Sequence, residues 1–366
     1  MTSLNELPPS LYNQIPETKE DLDWADLVTI DLSLFGTPEG KKQLAHDLEN
    51  AIKDHGFFYL KNFGLSQKEV DDQFAIAQAV FALDVKEKEK YLADLSSGDY
   101  NKFRLPGNRI VNNGIRDNIE TYNIARFNSF FDEHHKSHPK VILDNRNVIE
   151  KFAKYLQQEV IQKLIVLFGI ILELEDEEQL AKLHQYEDLS EEHFRYMKYY
   201  KRGEEENNNL DNIWSHGHTD LGTLTLLFRQ PVAALQIQNK YGEWKWVKPQ
   251  PNSITVNICD TLSFLTAGYL PSTKHRVHAP PKDQQQYDRI GLLYFARPRN
   301  DIKLQTIDSP KLKRLGYTKN FFEEKGEGIP NVGEWVVAKQ KYFNVRKENH
   351  NDPQPIIRGY TEVVIN

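Results

Sequence analysis

The chain predicts an α+β protein built on a double-stranded β-helix, or jelly roll, with flanking helices. Three observations carry that prediction. From Ile213 to Pro298, short strand-like runs recur with turn residues between them, the spacing of a sandwich or barrel and not of a parallel α/β sheet. Helical periodicity falls mainly before and after that stretch. No internal repeat, glycine-rich phosphate loop, Gly-x-Ser-x-Gly or Cys-x-x-Cys interrupts it, so the usual nucleotide, hydrolase and dithiol signatures are missing.

Taken in order, residues 1–26 read as an irregular lead-in. Residues 27–32 alternate as a strand. Residues 40–55 are a helix, with Leu44, Leu48, Ala51 and Ile52 on one face and Gly56 to end it. Residues 57–60 are a strand, and Ser66 opens a helix reaching about Leu92. Gly98, Pro106, Gly107, Asn112 and Asn113 make 96–113 a loop, and 120–131 is a strand. His134, His135 and His138 sit among Asp132, Glu133, Lys136 and Pro139 and read as a solvated turn. The longest helix is 145–174, with Phe152, Leu156, Val160, Leu164 and Leu167 near one face. Its apolar stretch is read as buried core. Residues 189–195 are expected as a short helix before 196–200, and 203–209 as an acidic solvated loop. Strands follow at 223–228, 235–238, 244–247, 254–257, 261–265, 275–278 and 291–295. Residues 321–341 are helical in part, and a loose tail is expected from 348 onward.

The composition fits a globular protein with a large core: 366 residues, 39% hydrophobic and 27% charged. A net charge of -7 disfavours nucleic acid or an anionic membrane as partner. The single cysteine, Cys259, leaves no internal disulfide and suits a reducing compartment. It reads as a small buried residue and not as a nucleophile. No apolar run reaches the roughly 18 residues of a membrane span, and Met1 to Asp23 is polar and proline-bearing, unlike a signal peptide. The expectation is a cytoplasmic protein, with the nucleus as the other compartment consistent with it, and a monomer.

The chemistry gathers at Trp214-Ser215-His216-Gly217-His218-Thr219-Asp220. Residues two apart on a strand point the same way. His218 and Asp220 would therefore offer an imidazole and a carboxylate together, two-thirds of the 2-His-1-carboxylate set of non-haem iron oxygenases. His216 is a rival through a cupin-like His216-Gly217-His218 pair. Such a pair needs a carboxylate a few residues later, and Leu221 to Phe228 supplies none. His275 follows a turn and can start a strand facing the barrel mouth. His278 precedes Pro280-Pro281 and is expected to be exposed.

Combined motifs now point to a family. They are His218-Thr219-Asp220-Leu221-Gly222-Thr223-Leu224-Thr225-Leu226-Leu227, then Leu235-Gln236-Ile237, Gly242-Glu243-Trp244, Asp260-Thr261-Leu262, Ser272-Thr273-Lys274-His275-Arg276-Val277 and Asp288-Arg289-Ile290-Gly291, with Ile30-Asp31-Leu32-Ser33 and His55-Gly56-Phe57-Phe58-Tyr59-Leu60 earlier. Over roughly residues 27 to 300 the chain resembles the isopenicillin N synthase-like group of Fe(II)/2-oxoglutarate dioxygenases. The resemblance implies an N-terminal helical and strand region at 1–180, the oxygenase core at 190–300 and a C-terminal helix and tail at 301–366. It implies Fe(II) on His218, Asp220 and His275, with 2-oxoglutarate and O2 as cosubstrates and no catalytic residue beyond the ligands. Arg289 would hold the distal carboxylate of 2-oxoglutarate through its planar fork. Tyr200 would help, or Tyr199 if the register differs by one.

The implied reaction is oxidation, by default hydroxylation, of a small molecule with release of succinate and CO2. Alternatives are a same-fold iron oxidase without 2-oxoglutarate, the cupin-like site, and a non-catalytic jelly-roll binding protein. Gly291 stands where the family commonly has serine, so one hydrogen bond of about 1 kcal/mol is missing, and restoring serine is expected to be neutral or slightly favourable. Substrate contacts are expected from 100–109, 122–130 and the region of Phe321 and Phe322. Phe103, Arg104 and Arg126 are candidates for an acidic or aromatic molecule.

Overall fold

Two sheets form the centre of the computed structural model, which describes residues 7–8, 10, 12–128, 137–345 and 353–362. The larger sheet orders eight strands: β1 (Thr29–Asp31), β2 (Phe57–Lys61), β12 (Ile254–Ile258), β9 (Leu224–Phe228), β14 (Arg289–Ala296), β7 (His193–Tyr199), β6 (Ile119–Ala125) and β3 (Lys102–Arg104). The smaller orders β11 (Trp244–Trp246), β10 (Leu235–Gln238), β13 (His275–His278) and β8 (Ile213–His218). Strands β1 and β2 pair in parallel, and the pairs at the centre of each sheet are antiparallel. Hairpins β4–β5 (Ile110–Asn112, Ile115–Arg116) and β15–β16 (Gln354–Ile357, Tyr360–Glu362) lie outside the two sheets. This is the expected jelly-roll core with flanking helices.

Strand alternation decides which side chains reach the interior. On β14, Ile290, Leu292, Tyr294 and Ala296 join the main hydrophobic core, while Arg289, Leu293 and Phe295 line a cavity on the other face. On β7, Phe194 and Tyr196 enter the core, while Arg195, Met197 and Tyr199 line the same cavity.

Helices cover the core face. Helix α1 (Pro38–His55) starts where Thr37 accepts from the Gly40 N–H, and ends at Gly56 in the left-handed conformation, φ 62°. It buries Leu44, Leu48 and Ile52, each burial stabilising by roughly 1.5–3 kcal/mol. Helix α2 (Gln67–Phe81) begins with a capping box between Ser66 and Glu69. It stops at Phe81, and a separate short turn, Val85–Lys88, follows, so the helix expected to reach Leu92 is two pieces. Helix α3 covers 146–171, with a π-helical segment, Leu156–Ile161, between two α-helical ones.

Further expectations change: residues 96–113, expected as a loop, hold strands β3 and β4. Residues 189–195 hold no helix, because Phe194 and Tyr196 alternate into the core as part of β7. Residues 261–265 lie in a short helix, α4 (Asp260–Leu265); Thr261 to Phe264 alternates polar and apolar, and five residues are too few for the helical period to show. Residues 204–209 form a helical turn with Asn207 buried, not a loop. Within the tail, β15 and β16 pack on helix α5 (Val332–Val345), with Tyr360 against Trp335 at 5.2 Å between ring centres. His134 and His135 lie outside the described residues, and the Tyr122 hydroxyl meets His138 Nδ1 at 2.7 Å.

Candidate active site

Strands β8 and β13 pair with His218 directly across from His275. Asp220 lies two residues beyond β8, where the Asp260 N–H donates to its carbonyl at 2.8 Å. One ligand atom from each of His218, Asp220 and His275 lies within 4.8 Å of the others. Among the described residues no other His, Cys, Asp or Glu joins that cluster. His216 is turned away, its Nε2 2.5 Å from the Val111 carbonyl. His278 is half-buried against Trp246, with 4.9 Å between ring centres, and not exposed as expected.

Each imidazole of the cluster is held from behind. His218 Nδ1 sits 2.8 Å from the His216 carbonyl and His275 Nδ1 3.2 Å from the Thr273 carbonyl. A carbonyl can only accept, so Nδ1 carries the proton and Nε2 keeps its lone pair. The Asp220 Oδ2 accepts from Thr225 at 2.8 Å and from Asn257 at 3.1 Å. Burial alone would raise the Asp220 carboxyl. The His275 and His218 imidazoles and those two hydrogen bonds outweigh it and hold the group below the usual carboxylate range. The set is two neutral nitrogen donors and one ionised oxygen donor on one wall, the composition that fits Fe(II) with positions left open.

Two chambers meet at this wall. The smaller, about 80 Å³, is lined by the three cluster residues together with Arg195, Tyr199, Gln230 and Arg289. Arg289 is 4% exposed, and its Nε is buried without a hydrogen-bond partner. No carboxylate lies within 4 Å of it among the described residues. The Gln230 Oε1 is likewise buried and unpartnered. Gly291 explains where Gln230 sits: a Cβ built there would lie 2.1 Å from Gln230 Nε2. The absent serine of the sequence reading is therefore replaced in space by an amide from another strand end. Arg289 pairs in register with Tyr199, whose ring lies 5.5 Å from the guanidinium.

Tyr200 is a correction. Its side chain points to the opposite face of the sheet, where its hydroxyl donates to Glu120 Oε2 at 2.5 Å. Tyr199, one residue earlier, takes the cavity position because β7 alternates. The larger chamber, about 140 Å³, is lined by Tyr100, Arg104, Arg109, Asn123, Arg195, Arg297, Phe343 and neighbours. Arg104 thus reaches it, whereas Phe103 is core and Arg126 bonds the Gln185 carbonyl and Ser190 elsewhere. The C-terminal contribution comes from Gln340 and Phe343, not from Phe321 and Phe322. Arg195 and Arg297 were legible in principle, since each continues an alternating register through Tyr199 or Arg289. Gln230 carried no signal of its own.

The back of the site is closed by α5. Trp335 Nε1 donates to the Leu221 carbonyl at 3.3 Å, and Lys339 Nζ donates to Asp260 at 2.8 Å and Thr219 at 3.2 Å.

The chain is similar to several known proteins. Residues 27–148 match the family described as non-haem dioxygenase in morphine synthesis N-terminal. Residues 191–298 match the 2OG-Fe(II) oxygenase superfamily. A UPF0676 protein of Schizosaccharomyces pombe is 30% identical over 311 residues, 79% of this chain and 85% of the relative. A 2-oxoglutarate-dependent dioxygenase of Gibberella zeae is 28% identical over 84% of this chain and 90% of its own. Among solved structures, a full-length Neurospora crassa protein in complex with alpha-KG superposes with a TM-score of 0.72 at 21% identity, covering 88% of this chain and 99% of that one.

Proposed function

The chain belongs to the 2OG-Fe(II) oxygenase superfamily, and from that premise we propose that His218, Asp220 and His275 hold its iron while Arg289, Gln230 and Tyr199 seat 2-oxoglutarate. The enzyme is an oxidoreductase using Fe(II), 2-oxoglutarate and O2 on a small-molecule substrate. Iron and 2-oxoglutarate, when bound, supply oxidative decarboxylation to succinate and CO2 coupled to oxidation of a substrate C–H bond. Hydroxylation is the outcome we assign.

One observation carries the reading: a buried guanidinium without a counter-ion, Arg289, faces the same small chamber as the His218–Asp220–His275 cluster. A buried permanent charge is costly unless a ligand pairs with it. A carboxylate at Arg289 would complete its fork, and the Gln230 amide is placed to donate to the same group. Tyr199 closes one side, and Phe57, Leu227, Leu235, Val277 and Leu293 make the remaining wall apolar, which excludes water from the charge pair. Asp220 stays ionised through Thr225 and Asn257. The two imidazoles keep their Nε2 lone pairs free because the carbonyls behind them hold the Nδ1 protons. The same reading retains a cytoplasmic monomer and the three-region division at 1–180, 190–300 and 301–366.

The test is succinate formation by the iron-loaded protein with and without 2-oxoglutarate across a metabolite panel. Substrate-stimulated succinate release is expected. Oxygen uptake that proceeds undiminished without any 2-oxo acid would move the chain to the oxidase reading.

A further inference from the structure

We infer that the larger chamber takes a substrate bearing a carboxylate or comparably compact anionic group, seated on Arg195 and Arg297 beside the metal ligands. The inference rests on the oxygenase reading above and adds the chemical class of its substrate.

Four arginines line the chamber: Arg104, Arg109, Arg195 and Arg297. The one carboxylate among its lining residues is Asp220, which belongs to the metal cluster. Arg104 has a partner, Asp117, at 2.5 Å. Arg195 and Arg297 have no carboxylate within 4 Å among the described residues. Arg195 spends its Nε on Asn123 at 2.6 Å and lies 4.5 Å over the Phe295 ring. Arg297 is 2% exposed and donates to the Tyr100 hydroxyl at 2.6 Å and the Glu191 carbonyl at 2.9 Å, with its Nε buried and unpartnered. These neutral acceptors orient the guanidinium groups without cancelling their charge.

Two acids lie close without reaching the guanidinium groups within 4 Å: the Glu191 carboxylate accepts from the Tyr100 hydroxyl at 3.1 Å. Glu192 accepts from the Arg297 backbone N–H at 3.2 Å. Its carboxyl is pushed up by burial, and Arg126 is the foremost of the charges drawing it back. Burial, then Arg297 and Arg104, push Arg195 down to about 10. It is still charged near neutral pH. Concentrated, desolvated positive charge is unfavourable until an anion enters, and arginine cannot discharge itself by losing a proton. Tyr100, Phe295 and Phe343 give the chamber apolar walls. A small acid with a hydrophobic or aromatic body therefore matches it, with the anion on the arginines and a C–H bond toward His218 and Asp220.

The probes are acetate and inorganic phosphate, titrated calorimetrically into the protein loaded with Mn(II) and saturating 2-oxoglutarate so that Arg289 is already engaged. Wild type is expected to bind at least one of them saturably. Preference for acetate marks a carboxylate seat, and preference for phosphate marks a phosphate seat. Arg297→Gln and Arg195→Gln should each weaken that binding by about ten-fold or more, while Arg195→Lys, which keeps the charge, retains most of it. Affinity for 2-oxoglutarate itself should stay within about two-fold in Arg297→Gln. Absence of saturable anion binding to wild type overturns the inference. So does equal loss in the Lys and Gln variants, which would mark packing, or a loss confined to 2-oxoglutarate binding, which would give these arginines to the cosubstrate. Failure of the oxygenase reading is separate: it would appear as no 2-oxoglutarate binding by wild type at all.

Discussion

The Gln230 amide occupies the space that any side chain at residue 291 would need, its Nε2 lying 2.1 Å from a Cβ built on Gly291. The pair is complementary: glycine on β14 admits an amide carried from outside that strand, next to the buried Arg289. Serine at 291, expected from the sequence to be harmless, would push the amide away. Gly291→Ser should weaken 2-oxoglutarate binding by roughly 3–10-fold, about the worth of one hydrogen bond. Gln230→Ala should weaken it similarly. In the double variant the serine hydroxyl gains room, so the combined loss should be smaller than additive. Calorimetric titration of 2-oxoglutarate into the four proteins decides it; unaltered affinity in both single variants would remove Gln230 from the cosubstrate site.

Arg289 should dominate selectivity for a five-carbon 2-oxo diacid over pyruvate. Its removal leaves a buried carboxylate unpaired, a cost of roughly 3–5 kcal/mol, or a factor of about 10² to 10³ or more in affinity. Arg289→Lys keeps the charge but loses the planar fork and should recover only part. The concentration dependence of succinate formation measures this, and an unchanged dependence in Arg289→Ala would refute the assignment.

Removing a ligand should separate metal binding from folding. His218→Ala and His275→Ala each delete one nitrogen donor but leave the backbone pairing of β8 with β13 in place, so thermal unfolding of the metal-free protein should shift little. Fe(II) affinity and turnover should collapse. His216→Ala should spare both, because that ring bonds the Val111 carbonyl outside the cluster. Near-normal iron binding in His275→Ala, measured by anaerobic titration, would show the ligand set to be wrong.

Much of this arrangement was legible because strands encode direction. The His218–Asp220 spacing was legible from period-two geometry, while His275 as third ligand and Arg289 came through the motifs that resemble the family. The same rule, applied strictly on β7, would have chosen Tyr199, since Arg195, Met197 and Tyr199 share a face. Gln230 was not legible, because a residue beyond the end of β9 approaches Gly291 only through tertiary folding. Residues 261–265 misled for a related reason: Thr261, Leu262, Ser263 and Phe264 alternate polar and apolar as a strand would, and only the surrounding contacts make the segment a helix. The tail was misjudged because its polar composition hides its anchors: Tyr360 packs on Trp335, and Glu362 accepts from the buried Lys339 of α5.

His184 should impose an acid limit on stability. It is fully enclosed, with Nδ1 2.8 Å from the Leu180 carbonyl and Nε2 2.8 Å from the Thr223 hydroxyl. Burial, opposed by the Leu180 bond and reinforced by Arg126, lowers it from its ordinary 6.5 to about 4. The folded state therefore disfavours the proton that the unfolded chain accepts. Its contribution is intact above 6.5, declines as pH falls below that value, and is exhausted below about 4. A shift of that size corresponds to roughly 3 kcal/mol. Urea midpoints between these limits should fall less steeply in His184→Gln than in wild type; parallel slopes would exclude His184 as a source.

Lys339 should hold the C-terminal segment to the metal-ligand loop. Its ammonium is fully buried and donates to Asp260 Oδ2 at 2.8 Å and to Thr219 Oγ1 at 3.2 Å, with Glu362 as a further partner. Burial alone would lower its pKa, but Asp260 and Glu362 outweigh that and raise it, so the group is charged at neutral pH. Asp260 in turn donates its backbone N–H to the Asp220 carbonyl at 2.8 Å. Lys339→Met keeps the volume and strands the Asp260 carboxylate, which should cost roughly 3–5 kcal/mol. Met in a Lys339→Met/Asp260→Asn background faces a neutral amide and should regain a large part of that loss. Because Thr219 and Asp220 adjoin this network, the single variant should also bind Fe(II) more weakly, while Glu362→Gln, at the more exposed end, should change stability far less. Urea unfolding and anaerobic iron titration on the three variants and wild type test the chain of contacts. Equal stability of Lys339→Met and wild type would show that α5 and the β15–β16 hairpin pack on the core without bracing the ligand loop.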